Sequence, residues 1–225
     1  WKTVPPPVMI TPMDERGGPT EHADRLAAAV LAGDAAETER LLREGLAPDT
    51  PGGDRRTALD HASFAGDPGI VGALLRAGAD PGQLIGEYGG DQTPLTMAVG
   101  WGRADTARLL LAAGAPTGPQ TRFGWLPLVH AATCTHGDPL ALIDLLLEHG
   151  ADIEARQRDL TALEYAAGMP RADVVHHLLA RGATPTLLAR DRAVRWGARR
   201  NPDREAVFRE IVAALGASVA ARRAR

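Results

Sequence analysis

Paired leucines recur along the chain at a nearly constant step, and a glycine follows each pair after two variable residues. This Leu-Leu-x-x-Gly pattern occupies residues 41–45, 74–78, 110–114, 146–150 and 178–182. The five glycines are separated by 33, 36, 36 and 32 residues. Self-similarity at such a period is typical of a stacked array, in which each unit buries its apolar face only against its neighbours.

A second apolar pattern precedes four of these segments and predicts another helix in each unit. It occupies residues 57–62, 93–98, 126–131 and 161–166. Three of the four blocks begin with threonine, whose hydroxyl caps a helix N-terminus, and two have proline in the first turn. The glycine at the end of each unit supplies the left-handed conformation that closes a helix. Each unit is therefore predicted to be a helix-turn-helix pair.

These residues resemble the ankyrin-repeat family, whose signature is Thr-Pro-Leu-His-x-Ala followed by a glycine turn and Leu-Leu-x-x-Gly-Ala-Asp. Residues 93–95 match the opening of this signature, and residues 78–80 and 150–152 match its end. The resemblance covers residues 24–184 in five units. It implies an all-α ankyrin-repeat solenoid, whereas the glycine-rich loops and Thr-Pro-Leu openings exclude tetratricopeptide repeats of similar period.

The chain departs from the family pattern in its histidine position and in two loops. The histidine position holds Asp60, Thr96, Val129 and Glu164, so the hydrogen bonds that this histidine makes between neighbouring loops are not expected. The loop 81–91 is about three residues longer than the pattern, and residues 134–137 form a small insertion. Insertions in repeat proteins map to loops on one face, which is often the binding face.

The pattern divides the chain into three regions. Residues 1–22 form a Pro/Gly-rich N-terminal arm, 23–184 the repeats, and 185–225 a pair of diverged capping helices with a basic tail. Asp24 is predicted to cap the first helix. One capping helix is predicted over 185–200, and a second is expected to be capped by Asp203 and to end at Gly216.

Charge is uneven along the chain although its net value is only −3. Residues 1–184 carry 15 basic and 24 acidic groups, a balance of −9, and residues 185–225 carry 10 basic and 4 acidic groups, a balance of +6. A solvated helix face with a frayed tail explains this basic end. An acidic partner or nucleic acid is the alternative, although nucleic acid is not the partner that we expect.

The remaining composition indicates a cytoplasmic protein, which we expect to be a monomer. No apolar segment approaches the roughly 20 residues of a membrane helix, and prolines interrupt the N-terminal apolar residues, so neither a membrane span nor a signal peptide is expected. The single cysteine, Cys134, has no internal disulfide partner. A reducing compartment is therefore the expected location.

The resemblance places a protein or peptide partner on the concave face, which is formed by loop tips and the ends of the first helices. Few aromatic residues exist in the chain, and several of them fall on this predicted surface. Aromatic and arginine side chains are the usual anchors of protein interfaces. The predicted partner-binding residues are Arg56, Phe64, Tyr88, Gln92, Trp101, Arg122, Phe123, Trp125, Cys134, Arg158 and Met169. The bulky ones could instead fill gaps left by Gly100, Gly168 and the inserted loops.

No catalytic residue, metal site or cofactor is predicted. Cys134 and His136 supply only two ligands for a metal, and the chain has no phosphate-binding glycine loop and no serine in a nucleophile-elbow motif. The most consistent function is non-enzymatic protein binding. The alternative is an apolar small molecule held in the same groove, even with chemistry on it by Asp60, His130, Cys134 or Glu164.

Overall fold

A computed structural model describes residues 18–84, 92–120, 125–197 and 202–223, and these residues form twelve α-helices and no strand. The predicted all-α solenoid is confirmed. The helices are α1 (Pro19–Leu31), α2 (Ala35–Arg43), α3 (Ala58–Ala65), α4 (Pro68–Arg76), α5 (Pro94–Gly100), α6 (Ala104–Ala112), α7 (Pro127–Thr133), α8 (Pro139–Glu148), α9 (Ala162–Ala166), α10 (Ala172–Ala180), α11 (Leu187–Gly197) and α12 (Pro202–Arg223).

The helices stack in two layers. The odd-numbered helices contact one another in chain order and form the first-helix layer, and the even-numbered helices form the second-helix layer in the same way. Within each unit the two helices also pack together. Each internal unit therefore buries apolar surface against the unit before it and the unit after it, as expected for a repeat array.

The two leucines of each pair differ in burial. The first leucine of each pair is at most 1% exposed in all five units, whereas the second is partly buried in four of them. Alanines at 62, 98, 131 and 166 are fully buried and allow neighbouring helices of the first layer to approach closely. All five closing glycines have positive φ, from 82° at Gly150 to 100° at Gly182, which confirms the predicted helix ends.

Several helix boundaries differ from the sequence predictions. The prediction that Asp203 caps the last helix is wrong, because α12 begins at Pro202 and Asp203 lies within it. The prediction that Asp24 caps the first helix is wrong, because α1 begins at Pro19 and its N-cap is Gly18. The Asp24 carboxylate instead accepts a hydrogen bond of 2.7 Å from the backbone N–H of Gly53 in the next unit. The prediction that Gly216 ends the last helix is also wrong, because α12 continues to Arg223. A lone glycine costs about 1 kcal/mol in a helix, and the alanine-rich flanks of Gly216 tolerate it.

The substituted histidine position makes helix caps. Asp60, Thr96 and Glu164 each accept a hydrogen bond from the backbone N–H of the threonine three residues earlier, at 2.9, 2.8 and 2.9 Å. In turn, each threonine hydroxyl accepts a hydrogen bond from the backbone N–H of Asp60, Thr96 or Glu164, which completes a capping box. These side chains therefore stabilise the start of their own helices.

Other carboxylate and amide side chains connect the loops of neighbouring units. Val129 offers no cap to α7, and the backbone N–H of Leu126 donates instead to Gln157 Oε1 of the following unit at 2.7 Å. Asp49 accepts from the backbone N–H of Asp80 at 2.9 Å in the same manner. These two hydrogen bonds therefore join loops of neighbouring units.

The division into arm, repeats and capping region stays a prediction, since residues 1–17 lie outside the described part. None of the described helices is both long enough and apolar enough to span a membrane.

Candidate functional site

An aromatic stack crosses three consecutive units at the point where the first helices end. The ring of Phe64, at the end of α3, meets the ring of Trp101 edge-on, with 4.8 Å between centroids. Trp101 follows α5 and also lies 5.3 Å from the ring of His136, in the segment between α7 and α8. Phe64 and Trp101 are 39% and 40% exposed, so the stack presents apolar surface to solvent.

Two glycines fix the position of this aromatic stack. A Cβ atom at Gly102 would lie 2.4 Å from the backbone oxygen of His136, and one at Gly137 would lie 2.7 Å from the oxygen of Gly102. Both residues have positive φ, which glycine adopts without strain. The backbones following Trp101 and His136 therefore touch directly. The predicted insertion at residues 134–137 contributes to this contact, because five residues separate α7 from α8, whereas three separate α5 from α6.

A second cluster, the Trp125 cluster, consists of Trp125, His130 and Arg158. The rings of Trp125 and His130 meet edge-on at 5.2 Å, and the Arg158 guanidinium carbon lies 5.3 Å from the centre of the Trp125 ring. Trp125 is half-buried, whereas Arg158 is exposed in a turn with φ of 47°. A guanidinium over an indole face is a favourable cation–π contact.

Burial determines the protonation of His130. Desolvation lowers the pKa of His130 to about 4, because the charged imidazolium loses its hydration. The Nε2 atom is buried and has no hydrogen-bond partner within the described residues. A Cβ atom at Gly100 would lie 3.1 Å from His130 Nδ1, so the ring fills the space left by this glycine. At neutral pH the Trp125 cluster therefore contains an uncharged histidine.

The two clusters lie along α7, since His130 is its fourth residue and its ring lies against Gly100, the neighbour of Trp101. Trp125 precedes this helix and His136 follows it, and seven helical residues span about 10 Å. The aromatic stack and the Trp125 cluster together form what we call the aromatic strip. The strip crosses the first-helix layer in the middle of the array.

Cys134 does not form part of an exposed surface, although the sequence analysis placed it among the partner-binding residues. Its side chain is 5% exposed, and Sγ lies 3.3 Å from the backbone oxygen of Gly100 and 3.0 Å from that of His136. The inserted loop folds back over the thiol and buries it. Cys134 therefore supports the loop that carries His136, and its contact with a partner stays a prediction.

The other predicted residues divide into two groups. Arg56, Gln92 and Met169 are half-buried, and no described ring or ion-pair contact joins them to the strip. Tyr88, Arg122 and Phe123 lie outside the described residues, so their role stays a prediction.

The groups considered for chemistry do not converge. The buried carboxyls of Asp60 and Glu164 serve capping boxes in α3 and α9, with α5 and α7 between them. Burial raises the pKa of Asp60, although the hydrogen bonds from Thr57 oppose this effect. His130 and Cys134 both lie against Gly100, yet no hydrogen bond joins them. No group of three His, Cys, Asp or Glu side chains in the described ranges is arranged to hold a metal ion.

Sequence reasoning missed a group of side chains near the end of the same layer. Tyr165 is half-buried on α9, and the guanidinium of Arg192 on α11 lies 5.8 Å from its ring centre. Trp196 is 44% exposed and lies over Gly168, with 3.4 Å from its Cδ1 atom to the position of an added Cβ. The available signal was the four-residue spacing of Arg192 and Trp196, which places both on one helix face beside the glycine gap.

Comparisons with known proteins support the architecture. The family described as Ankyrin repeats (3 copies) matches residues 95–188, and the family described as Ankyrin repeat matches residues 54–84. The chain is 36% identical over 102 residues to Zygote-specific protein 3 of Chlamydomonas reinhardtii, covering 45% of this chain and 26% of that protein. It is 32% identical over 122 residues to Rabankyrin-5 of Homo sapiens, covering 50% of this chain and 10% of that protein.

The chain thus spans about a quarter or less of the length of these relatives. Ankyrin repeats generally mediate protein–protein interaction. The two matched families, the five helix pairs with their left-handed glycine ends and the two-layer stack agree with one another, and this chain belongs to the ankyrin-repeat family.

Proposed function

We propose that this chain is a non-enzymatic binding module that holds a cytoplasmic protein partner against the aromatic strip. The observation that carries the proposal is the contact between Phe64, Trp101 and His136, which joins three units into one partly exposed apolar surface. An extended segment or a helix of a partner could lie along such a surface and contact several units at once.

The neighbouring charges and the backbone support the same function. Arg158 lies over Trp125 and provides a cationic rim to the apolar strip. The Gly102–Gly137 contact and the hydrogen bond of 3.4 Å from Arg103 Nε to the backbone oxygen of Phe64 hold the aromatic residues in place before binding. Preorganised aromatic anchors lose little entropy on association, and this favours affinity.

A small molecule is the second candidate, and the geometry favours it less. Two clefts of the described part, of about 290 and 380 Å³, lie on α11 and between α2 and α4, and the strip lines neither of these two. Asp60 and Glu164 are engaged in caps, and Cys134 is buried. A partly exposed surface spread over three units suits a protein better than an enclosed ligand.

The test is affinity capture with the wild-type chain and the Trp101→Ala/Trp125→Ala double variant, followed by a binding titration with the captured protein. Interface aromatic residues of this kind are worth about 2 kcal/mol or more each, so we expect the dissociation constant to rise about a thousandfold if the two contributions add, and at least about thirtyfold if they overlap. Leu187→Ala is the control, because Leu187 is 60% exposed and lies outside the strip. Its affinity should equal that of the wild type.

Two outcomes contradict the proposal. Unchanged partner affinity in a folded double variant would place the interface elsewhere. Recovery of a small molecule that depends on Trp101 and Trp125, with no protein partner, would establish the second candidate.

A further inference from the structure

A cleft on α11 lies apart from the aromatic strip, near the C-terminal end of the first-helix layer. Leu188, Asp191, Arg192, Arg195 and Trp196 line it, and its volume is about 290 Å³. Leu188 and Trp196 are both 44% exposed. This α11 cleft therefore combines an apolar floor with two guanidinium groups, the residue types that dominate protein recognition.

The structure holds the walls of the α11 cleft in place. Arg192 Nε donates a hydrogen bond of 2.7 Å to the backbone oxygen of Glu164, and the guanidinium lies over Tyr165. A side chain at Gly168 would meet Arg192 Nη2 at 3.2 Å and Trp196 Nε1 at 3.4 Å. The glycine thus lets Trp196 and Arg192 settle against α9. Both walls are ordered before any ligand arrives, and this reduces the entropic cost of binding.

The charge of the α11 cleft favours an acidic ligand. The lining contains two guanidinium groups, of Arg192 and Arg195, and one carboxylate, that of Asp191. No carboxylate among the described residues forms an ion pair with Arg195. The region that contains the cleft, residues 185–225, carries 10 basic and 4 acidic groups in a chain whose net charge is negative. Arg195 is exposed and Arg192 is half-buried, and guanidinium groups bind carboxylates well because their geometry allows two parallel hydrogen bonds.

We propose that the α11 cleft is a second docking site, which takes an acidic peptide segment with an apolar side chain between its carboxylates. The apolar side chain packs on Trp196 and Leu188, and the flanking carboxylates pair with Arg192 and Arg195. This site does not depend on the aromatic strip, and the two can be tested separately.

The test follows the indole N–H signals of ¹⁵N-labelled protein by NMR, since each tryptophan gives its own signal. The probe is a blocked synthetic peptide with one leucine flanked by two aspartates on each side, in a Gly/Ser background. We expect it to shift the Trp196 signal, assigned with Trp196→Phe, and to leave the Trp101 signal in place. A peptide with lysine for aspartate, and one with serine for leucine, should shift the Trp196 signal much less.

Charge reversal at two positions of α11 provides a matched pair of variants. Arg195 lines the cleft, whereas Arg190 is exposed on another side of the same helix. Arg195→Glu should weaken peptide binding about tenfold, as expected for replacing one exposed ion pair with a repulsion, and Arg190→Glu should change it about twofold or less. Both variants alter the net charge equally and both leave buried residues untouched.

Three results would overturn the proposal. The first is the absence of any Trp196 shift at millimolar peptide and low salt. The second is an equal loss of affinity in both charge-reversal variants, which would reduce the effect to net charge. The third is tighter binding of a twelve-nucleotide DNA than of the peptide at the same salt concentration, which would assign the basic surface to nucleic acid.

Discussion

At the scale of single residues, the histidine of the Trp125 cluster links the candidate site to stability. His130 is buried beside Trp125, and its pKa is lowered to about 4. The unfolded chain, in which histidine has a pKa of about 6.5, binds a proton that the folded chain excludes between these two values. The free energy of unfolding therefore suffers no loss from His130 above pH 6.5, and it decreases as the pH falls from 6.5 towards 4.

We predict that His130→Phe removes this decrease in the free energy of unfolding at low pH. Wild-type unfolding free energy should fall by about 3 kcal/mol more than that of the variant between pH 7 and pH 4, because each unit of pKa is worth about 1.4 kcal/mol. Phenylalanine keeps a ring against Trp125 and leaves no buried nitrogen unpaired, so the variant should be at least as stable at pH 7. Urea denaturation at several pH values measures both, and parallel pH profiles of the two proteins would contradict the prediction.

Single residues also show where sequence reasoning succeeded and where it stopped. The spacing of threonine and an acid three residues later, at Thr57 and Asp60, is itself a capping-box signature, so the role of the substituted position was readable from the sequence. The placement of Trp196 over Gly168 was harder to predict, because it depends on how α11 packs against α9. Burial of Cys134 likewise follows from the path of a loop, which no local pattern specifies.

At the scale of helices and turns, the Leu-Leu-x-x-Gly pattern predicted the helix pairs and their glycine ends, because local preferences and packing favour the same structure there. The helix ends predicted from Asp24 and Gly216 were wrong, because packing overrides the local preference of these residues. Asp24 serves the next unit's loop, and Leu215, fully buried beside Gly216, helps to hold α12 against its neighbours. Boundaries at the ends of an array are less certain, since terminal units have a neighbour on one side only.

The Gly102–Gly137 contact gives a prediction at this scale. Gly102→Ala should destabilise the protein by about 1–3 kcal/mol more than Gly114→Ala, since overpacking adds to the strain of a left-handed residue. The two glycines have φ of 69° and 89°, but a Cβ atom at Gly114 meets nothing within 4 Å, whereas one at Gly102 meets His136. Thermal and urea unfolding of both variants measure the difference. Equal losses would show that the contact with His136 adapts at no cost.

Gly102→Ala also tests whether the aromatic stack depends on the backbone contact between Gly102 and Gly137. Displacement of residues 136–137 by the added methyl group would separate His136 from Trp101, whose rings lie 5.3 Å apart in the native arrangement. The indole signal of Trp101 should therefore move in Gly102→Ala and stay in Gly114→Ala. The proposed partner should bind the first variant more weakly than the second.

At the scale of the whole molecule, the two layers connect each unit only to its neighbours, so the array need not unfold as one body. The first-helix and second-helix contacts run in chain order, and α12 packs against α10 and α11. The aromatic strip lies in the central units and the α11 cleft near one end. Stability is then approximately a sum of unit and interface contributions, and local opening at one end leaves the other end intact.

We predict that core truncations in two distant units of the array have separate effects. Ile211 in α12 and Ile70 in α4 are 0% and 1% exposed, and removing three carbons from either should cost about 2–5 kcal/mol locally. Ile211→Ala should raise amide hydrogen exchange mainly in α10–α12, including the walls of the α11 cleft, and Ile70→Ala mainly in α2–α6, including one end of the aromatic stack. Exchange measured by mass spectrometry resolves these regions. If either variant raised exchange equally in all twelve helices, the array would be a single cooperative unit, and binding at the strip and at the cleft would be coupled through global stability.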